Sequence, residues 1–406
     1  MKQKFKIDPL FLIAFILSTY FKLNNLSNIE YKFDQQFGFN VLKNCSNGEF
    51  FSYIDGSTGL PQGLLHYFFE CLGGVLGISS YLNLVRFEII LSQISLLLIY
   101  LLLAKNFSYL VAGACVSLVL LNPYLIIASR NISSAEHYEM YILIYIYLLI
   151  NFKKNKNGGF LLAGFSSLAL IIYFPMFIFF TSFLLVISLA ETKKSKFKLC
   201  LGYGLGLLIN FITYIPYFIN NGIPITRNSS TSWGISSYWR TLFDTLSGSS
   251  IQTKVNNQND FNNLLENFNF FDNLILFNKV IFMIMFSIYI IQLISKMRDR
   301  EVRSFDKLTL TSLTLTGVIF TILDRPLYAH YYFSVIIFIY LSLVIALRKK
   351  FLILFFCGFI SFSNILLTHN FFQFIYLNNG AINSDYGIIY SKCGCCVEDA
   401  RVCRGQ

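Results

Sequence analysis

Charge is the scarcest commodity in this 406-residue chain: Asp, Glu, Lys and Arg make up 13% of it, about half the share of an ordinary soluble domain. Proline is down to 7 residues, tryptophan to 2 and histidine to 4. A conventional soluble enzyme is excluded by the first shortage. Extended disorder is excluded by the hydrophobic content of 55%. No Walker loop, no GxGxxG before a helix, no HExxH and no nucleophile-elbow serine occurs. A nucleotide-sugar donor is therefore disfavoured, because no inner domain exists to bind one. What is abundant is Phe (44) and Tyr (25), with a mean hydropathy of +0.59. Such a chain lives mostly in lipid.

A membrane span needs about 20 apolar residues, within a range of roughly 17–25. Eleven stretches qualify: 8–22, 83–104, 107–124, 138–152, 159–174, 176–190, 199–219, 272–295, 308–323, 331–347 and 351–368. The expected fold class is an all-α integral membrane protein of about eleven transmembrane helices. The first stretch follows Lys2, Lys4 and Lys6 but has no small-residue cleavage site, so it reads as a retained signal anchor.

Basic residues set the orientation. With the N-terminus inside, alternate loops collect Lys105; Lys153, Lys154 and Lys156; Lys193, Lys194, Lys196 and Lys198; Lys296, Arg298, Arg300, Arg303 and Lys307; and Arg348, Lys349 and Lys350. With the N-terminal lysines these are 19 of the 32 basic residues. The net charge of +11 thus speaks for anchoring against anionic lipid and not for nucleic acid. The C-terminus falls outside, and residues 1–368 form the membrane domain with an outer Cys-rich tail at 369–406.

The outer face holds the long segments, 23–82, 220–271 and 369–406. Transporters keep polar groups near the midplane on broken, repeated helices; here they gather at outer helix ends. The first segment opens with Phe33-Asp34-Gln35-Gln36-Phe37. It continues through Leu60-Pro61-Gln62-Gly63-Leu64-Leu65-His66 to Glu70. The run 61–78 is too short and polar to span, and reads as a helix lying in the interface, with His66 and Glu70 at i, i+4 on one face. Asn122-Pro123, Ser129-Arg130 and Glu136-His137 occupy the second outer loop. Asp324-Arg325-Pro326 and His330-Tyr331 occupy a later one. Ionisable groups at that depth are costly and have a partner or a task.

This layout resembles the GT-C superfamily of polytopic glycosyltransferases, in the branch of protein O-mannosyltransferases and lipid A aminoarabinose transferases. The likeness rests on Phe33-Asp34-Gln35; on Gly59-Leu60-Pro61-Gln62-Gly63 through Leu84-Val85-Arg86; on Asn122-Pro123 with Ser129-Arg130 and Glu136; and on His330-Tyr331. It covers most of 1–150 and 325–347. Gln35 stands where many relatives have Glu, and a Glu-Lys pair before the proline at Leu60-Pro61 is missing. The resemblance implies a polyprenyl-phosphate sugar donor, a hydroxyl acceptor and a reaction at the outer face. Asp34 is then the general base, with a helix cap as its structural alternative. Arg86, Arg130, Arg325 and His330 are the phosphate candidates. Gln35, His66, Tyr331, Trp233 and Trp239 are the sugar or acceptor candidates. Glu136 and His137, with His66, Glu70 and His330, are the candidates to hold a divalent metal ion, the only cofactor implied; no spacing among them is diagnostic. Asp244 is a second carboxylate candidate. The rival readings are a lipid-linked oligosaccharide flippase and a polysaccharide polymerase or ligase. Loop 220–271, with only Arg227, Arg240 and Lys254 as basic residues, speaks against the polymerase.

Of nine cysteines, Cys115, Cys200 and Cys357 fall in helices as packing residues. Cys45 and Cys71 fall outside or nearly so. Those of the tail (Cys393, Cys395, Cys396, Cys403) suit disulfides first, free or lipid-modified thiols second and zinc last. The Asn/Ser-rich stretch 247–269 reads as a mobile loop.

Overall fold

The computed structural model describes residues 7–24, 26, 33–49, 65–130, 138–152, 154–189, 191–221, 234–251, 258–268, 270–298, 305–323 and 328–377, with backbone alone for 33–37 and some other helix-end residues. Among these the secondary structure is entirely helical. Sixteen α-helices follow one another: α1 (Pro9–Leu23), α2 (Phe33–Ser46), α3 (Phe68–Val75), α4 (Tyr81–Asn106), α5 (Tyr109–Leu120), α6 (Pro123–Ala128), α7 (Glu139–Asn151), α8 (Gly158–Ile172), α9 (Phe174–Leu189), α10 (Lys193–Asn221), α11 (Ile235–Leu246), α12 (Gln258–Asn267), α13 (Phe271–Arg298), α14 (Phe305–Ile322), α15 (Phe333–Leu347) and α16 (Lys350–Leu377). Five helical stretches are long and apolar enough to cross a membrane: α4, Lys193–Ile219, Phe271–Ser295, Ala329–Leu347 and α16. The chain is a multi-pass membrane protein built of helices.

Local chemistry sets the helix starts. The Asp8 carboxylate accepts from the Leu10 and Phe11 amides at 2.9 and 3.4 Å, and Pro9 fills the first helical position of α1. Ser80 caps α4 and Ser108 caps α5. Asn122 caps α6 and also ties it to distant chain. Its amide donates to the Thr245 carbonyl at 2.9 Å and to the Tyr340 hydroxyl at 3.0 Å, joining α6, α11 and α15.

α15 is the hub of the bundle, with almost every side chain buried. Around it stand α5, α9, α13, α14 and α16. α1 lies against α5 and α4, where Phe11 stacks on Tyr100 at 3.9 Å. α10 packs on α8 through small residues: a β-carbon on Gly202 would fall 2.2 Å from the Phe160 carbonyl oxygen. Glycines at this spacing let two apolar helices approach backbone to backbone.

α2 and α3 form a hairpin-like cap over the end of the bundle where α1 finishes. Cys45 of α2 and Cys71 of α3 are joined by a disulfide, and Gly74 lies close enough to α2 that a β-carbon would meet the Leu42 carbonyl at 2.4 Å. The first turns of α4 run up into this cap, where Tyr81, Leu84 and Val85 pack with Phe39 and Leu42.

Several expectations change in detail. In the described part of the 61–78 run, the helix is Phe68–Val75 and His66 sits in the turn just before it, so the shared helix face with Glu70 does not arise. The stretch 247–269 contains a 3-10 turn (Ser249–Ile251) and α12 instead of continuous loop. The reason is tertiary: Leu264 is fully buried against Phe271, Leu367 and Phe371, and that burial outweighs the weak helix propensity of asparagine. α16 continues past residue 368 to Leu377, because Phe371, Phe374 and Ile375 join the same cluster.

Candidate site beneath the cap

The fully buried acidic and basic side chains among the described residues, Lys22, His66, Glu70, Glu88 and Arg130, gather where the α2–α3 cap meets the bundle. The first group joins three helices. Lys22, in the last turn of α1, is 2% exposed and reaches the Ser92 hydroxyl of α4 at 3.5 Å. Ser92 in turn donates to Glu139 Oε1, at the start of α7, at 2.9 Å. Glu139 is the carboxylate whose charge acts on the Lys22 ammonium. One turn away, Gln93 donates to Ser18 of α1 at 3.2 Å.

Arg130 braces the same corner. It lies just beyond α6, is 2% exposed, donates to the Phe21 carbonyl at 2.8 Å and stands 4.3 Å over the Phe372 ring. Phe21 O is one of the last carbonyls of α1, which the helix itself leaves unsatisfied. The guanidinium therefore caps α1 from another segment and holds the turn that carries Lys22.

The second group is aromatic. His66 is buried, and its Nδ1 lies 2.8 Å from the Ile172 carbonyl at the end of α8. A carbonyl only accepts, so Nδ1 carries the hydrogen and Nε2 keeps its lone pair. Burial lowers the imidazole pKa to about 4, leaving the ring neutral at ordinary pH. Tyr67, Tyr138 and Tyr173 surround it at 4.7, 6.4 and 5.8 Å between ring centroids. Tyr173, in the turn between α8 and α9, also meets His330 at 6.5 Å and Tyr331 at 5.8 Å. Three residues singled out from sequence (His66, His330 and Tyr331) thus gather around one tyrosine.

The third group is a pair of acids. Glu70 of α3 and Glu88 of α4 are 1% and 2% exposed and act on each other electrostatically. Burial pushes the Glu70 carboxyl up to about 8, so it keeps its proton at neutral pH.

The remaining candidates are scattered. Asp34 and Gln35 are the second and third residues of α2, where the helix dipole favours an acid; their side chains lie outside the described residues. Arg86 is exposed and donates to Asn83 of its own helix at 3.0 Å. Trp239 of α11 packs on Tyr238 and Phe286. Asp244 pairs with Lys279 at 2.9 Å. Arg325, Trp233, Glu136, His137 and the tail cysteines lie outside the described residues. Among those described, no group of three His, Cys, Asp or Glu side chains could hold a metal ion.

Sequence reasoning passed over Lys22, Ser92, Glu88 and Tyr173. A signal existed for Glu88, an acid inside the apolar run 83–104. Lys22 looked like an ordinary end-of-helix lysine, and only packing shows it buried. Comparison with protein families, with curated proteins and with solved structures yields no match.

Proposed function

We propose that this protein is a GT-C-type membrane glycosyltransferase that moves a sugar from a polyprenyl-phosphate carrier to a hydroxyl acceptor at the outer face of a bacterial inner membrane. The observation that carries the reading is the convergence of Lys22, Arg130, Glu139, His66, His330 and Tyr331 beneath one cap at one end of the bundle. Eleven spans fit the five long helical stretches together with six shorter apolar ones. A disulfide in the cap agrees with an oxidising outer compartment, as does the collection of lysines at the opposite helix ends.

In this reaction the acceptor oxygen attacks the anomeric carbon as the bond from that carbon to the phosphate oxygen breaks. Positive charge builds on the sugar ring. Asp34 takes the acceptor proton, and the leaving phosphate departs with the bonding electrons towards Arg86, Arg130, Arg325 and His330. Gln35, His66, Tyr331, Trp233 and Trp239 are assigned to sugar and acceptor, and Glu136 with His137 to a divalent metal where the reaction uses one. The test is reconstitution with labelled polyprenyl-phosphate sugars and candidate acceptors. Asp34→Asn should reduce transfer at least about a hundredfold; full transfer by that variant removes Asp34 as base.

A flippase for lipid-linked oligosaccharides is the second reading. It is favoured by Glu88, Ser92 and Gln93, which lie buried within the long helix α4. Lipid movement without sugar transfer in the same vesicles would select it.

A further inference from the structure

We propose that the α2–α3 cap is a proton-latched lid: it stays docked on α4 while Glu70 carries a proton and lifts from the bundle when that carboxyl ionises. The proposal assumes nothing about the reaction; on the glycosyltransferase reading, the lid also carries the α2 turn that bears Asp34.

Three features of the cap support it. First, the cap is one piece. The Cys45–Cys71 disulfide ties α2 to α3, and Gly74 brings the α3 backbone up against that of α2 at Leu42 and Ser46. Second, a hinge is in place. Gly77 stands between α3 and α4 at φ +78°, a conformation that favours glycine, with open space around it. Rotation there swings α3 away from α4 without breaking either helix. Third, the docking face of α3 holds an acid. Glu70 and Gly73 share one face of that helix at i, i+3. The face rests on α4, where a β-carbon on Gly73 would meet Leu84 at 2.8 Å and where the Glu88 carboxyl, one turn beyond Leu84, acts on Glu70. Glu70 is 1% exposed, and neither of its carboxyl oxygens has a hydrogen-bond partner among the described residues.

The other groups around Glu70 do not offset a charge. α7 brings Tyr141, whose hydroxyl already donates to the Leu65 carbonyl at 2.8 Å. α2 brings Cys45, held in the disulfide, and Lys43, whose ammonium lies over the Phe39 ring at 5.1 Å. A protonated carboxyl is neutral and tolerates this setting. A carboxylate there meets no cation among the described residues and regains water only if α3 leaves α4. Glu88 adds like charge from the facing helix whenever it is ionised. One proton is released as the cap lifts. The lifted carboxyl ionises near 4.5 and the docked one near 8. Between those limits the ratio of lifted to docked cap rises about tenfold per pH unit, and above them it levels off.

The test measures distances between pairs of spin labels on the full-length protein in nanodiscs, with Cys200→Ser removing the exposed native thiol. One label is placed on the cap at Asn47 and one on the bundle at Leu323; Leu323 paired with Leu377 is the control. From pH 6 to pH 8 the cap-to-bundle distance should gain a longer component, growing about tenfold per pH unit relative to the docked one, while the control distance stays constant. Glu70→Gln should hold the short distance at every pH, because its amide cannot ionise. A single unchanging cap-to-bundle distance in the wild type overturns the proposal. So does a longer component that keeps the same pH dependence in Glu70→Gln. Parallel spreading of the control pair overturns it too, since the whole bundle would then be loosening. The first and third of these outcomes are read on the wild type and stand even if Glu70→Gln fails to fold. Lid motion in a protein that transfers no sugar removes the proposed function and leaves this inference in place. Sugar transfer by a protein whose cap never moves does the reverse.

Discussion

Two buried groups at the cap make stability depend on pH in opposite directions. His66 is neutral in the folded protein down to about pH 4, whereas the unfolded imidazole protonates near 6.5. The unfolded chain binds more protons in that window, so stability falls as pH drops from 6.5 towards 4. Glu70 behaves in the reverse sense. Folded, it keeps its proton up to about pH 8; unfolded, it loses it near 4.5. Stability therefore declines as pH rises through that interval. Glu70→Gln keeps the shape and removes the titration. Its thermal midpoint in detergent should fall less than that of the wild type between pH 5 and pH 8. An identical fall in both proteins would show that Glu70 is already ionised in the folded state.

At the scale of elements, packing depends on where side chains are small. α10 leans on α8 through Gly202 and Gly206, and Asn210 adds a hydrogen bond to the Ser167 carbonyl at 2.7 Å. The obstacle at Gly202 is backbone, the Phe160 carbonyl, which cannot rotate aside. Gly202→Ala should cost about 1–3 kcal/mol, read as a lower unfolding midpoint with earlier proteolysis in the α8–α10 region; an unaltered midpoint would mean that the two helices part freely. Parts of this level were legible in the residues. Ser80, Ser108 and Asn122 cap helix starts in the structure, and residues of these types are the ones that favour that position by local chemistry alone. α12 was not legible, since its asparagines describe a loop and only Leu264, buried by a segment a hundred residues away, makes it a helix. The cap was partly legible. An interfacial helix was expected in the first long segment, but α3 is shorter than the apolar run suggested, and α2 carries Asp34 in its first turn.

For the whole molecule, the uneven distribution of lysine and arginine predicts an orientation. With the cap end outside, single cysteines introduced at position 34 and within 220–271 should react with a membrane-impermeant maleimide added to intact cells. Cysteines placed at 154, 194 or 349 should react only after permeabilisation. Labelling of the second set from outside would invert the protein and move the cap, with Asp34, to the cytoplasmic face.

Residue order alone decides that this chain is helical and membrane-embedded. The reason is that lipid offers the backbone no hydrogen bonds, so apolar runs of this length and number have few other solutions. It also marks Asp34, His66 and His330 as polar residues out of keeping with their surroundings. Which of these polar residues meet is a tertiary matter. His66 and His330 lie 264 positions apart and share Tyr173 only because α8, α9 and α15 end at the same level. Lys22 has an ordinary setting in one dimension, at the close of an apolar helix. It becomes a buried cation because Ser92 and Glu139 arrive from α4 and α7. Burial and counter-charge are properties of neighbours in space, and the order of residues along the chain does not carry them.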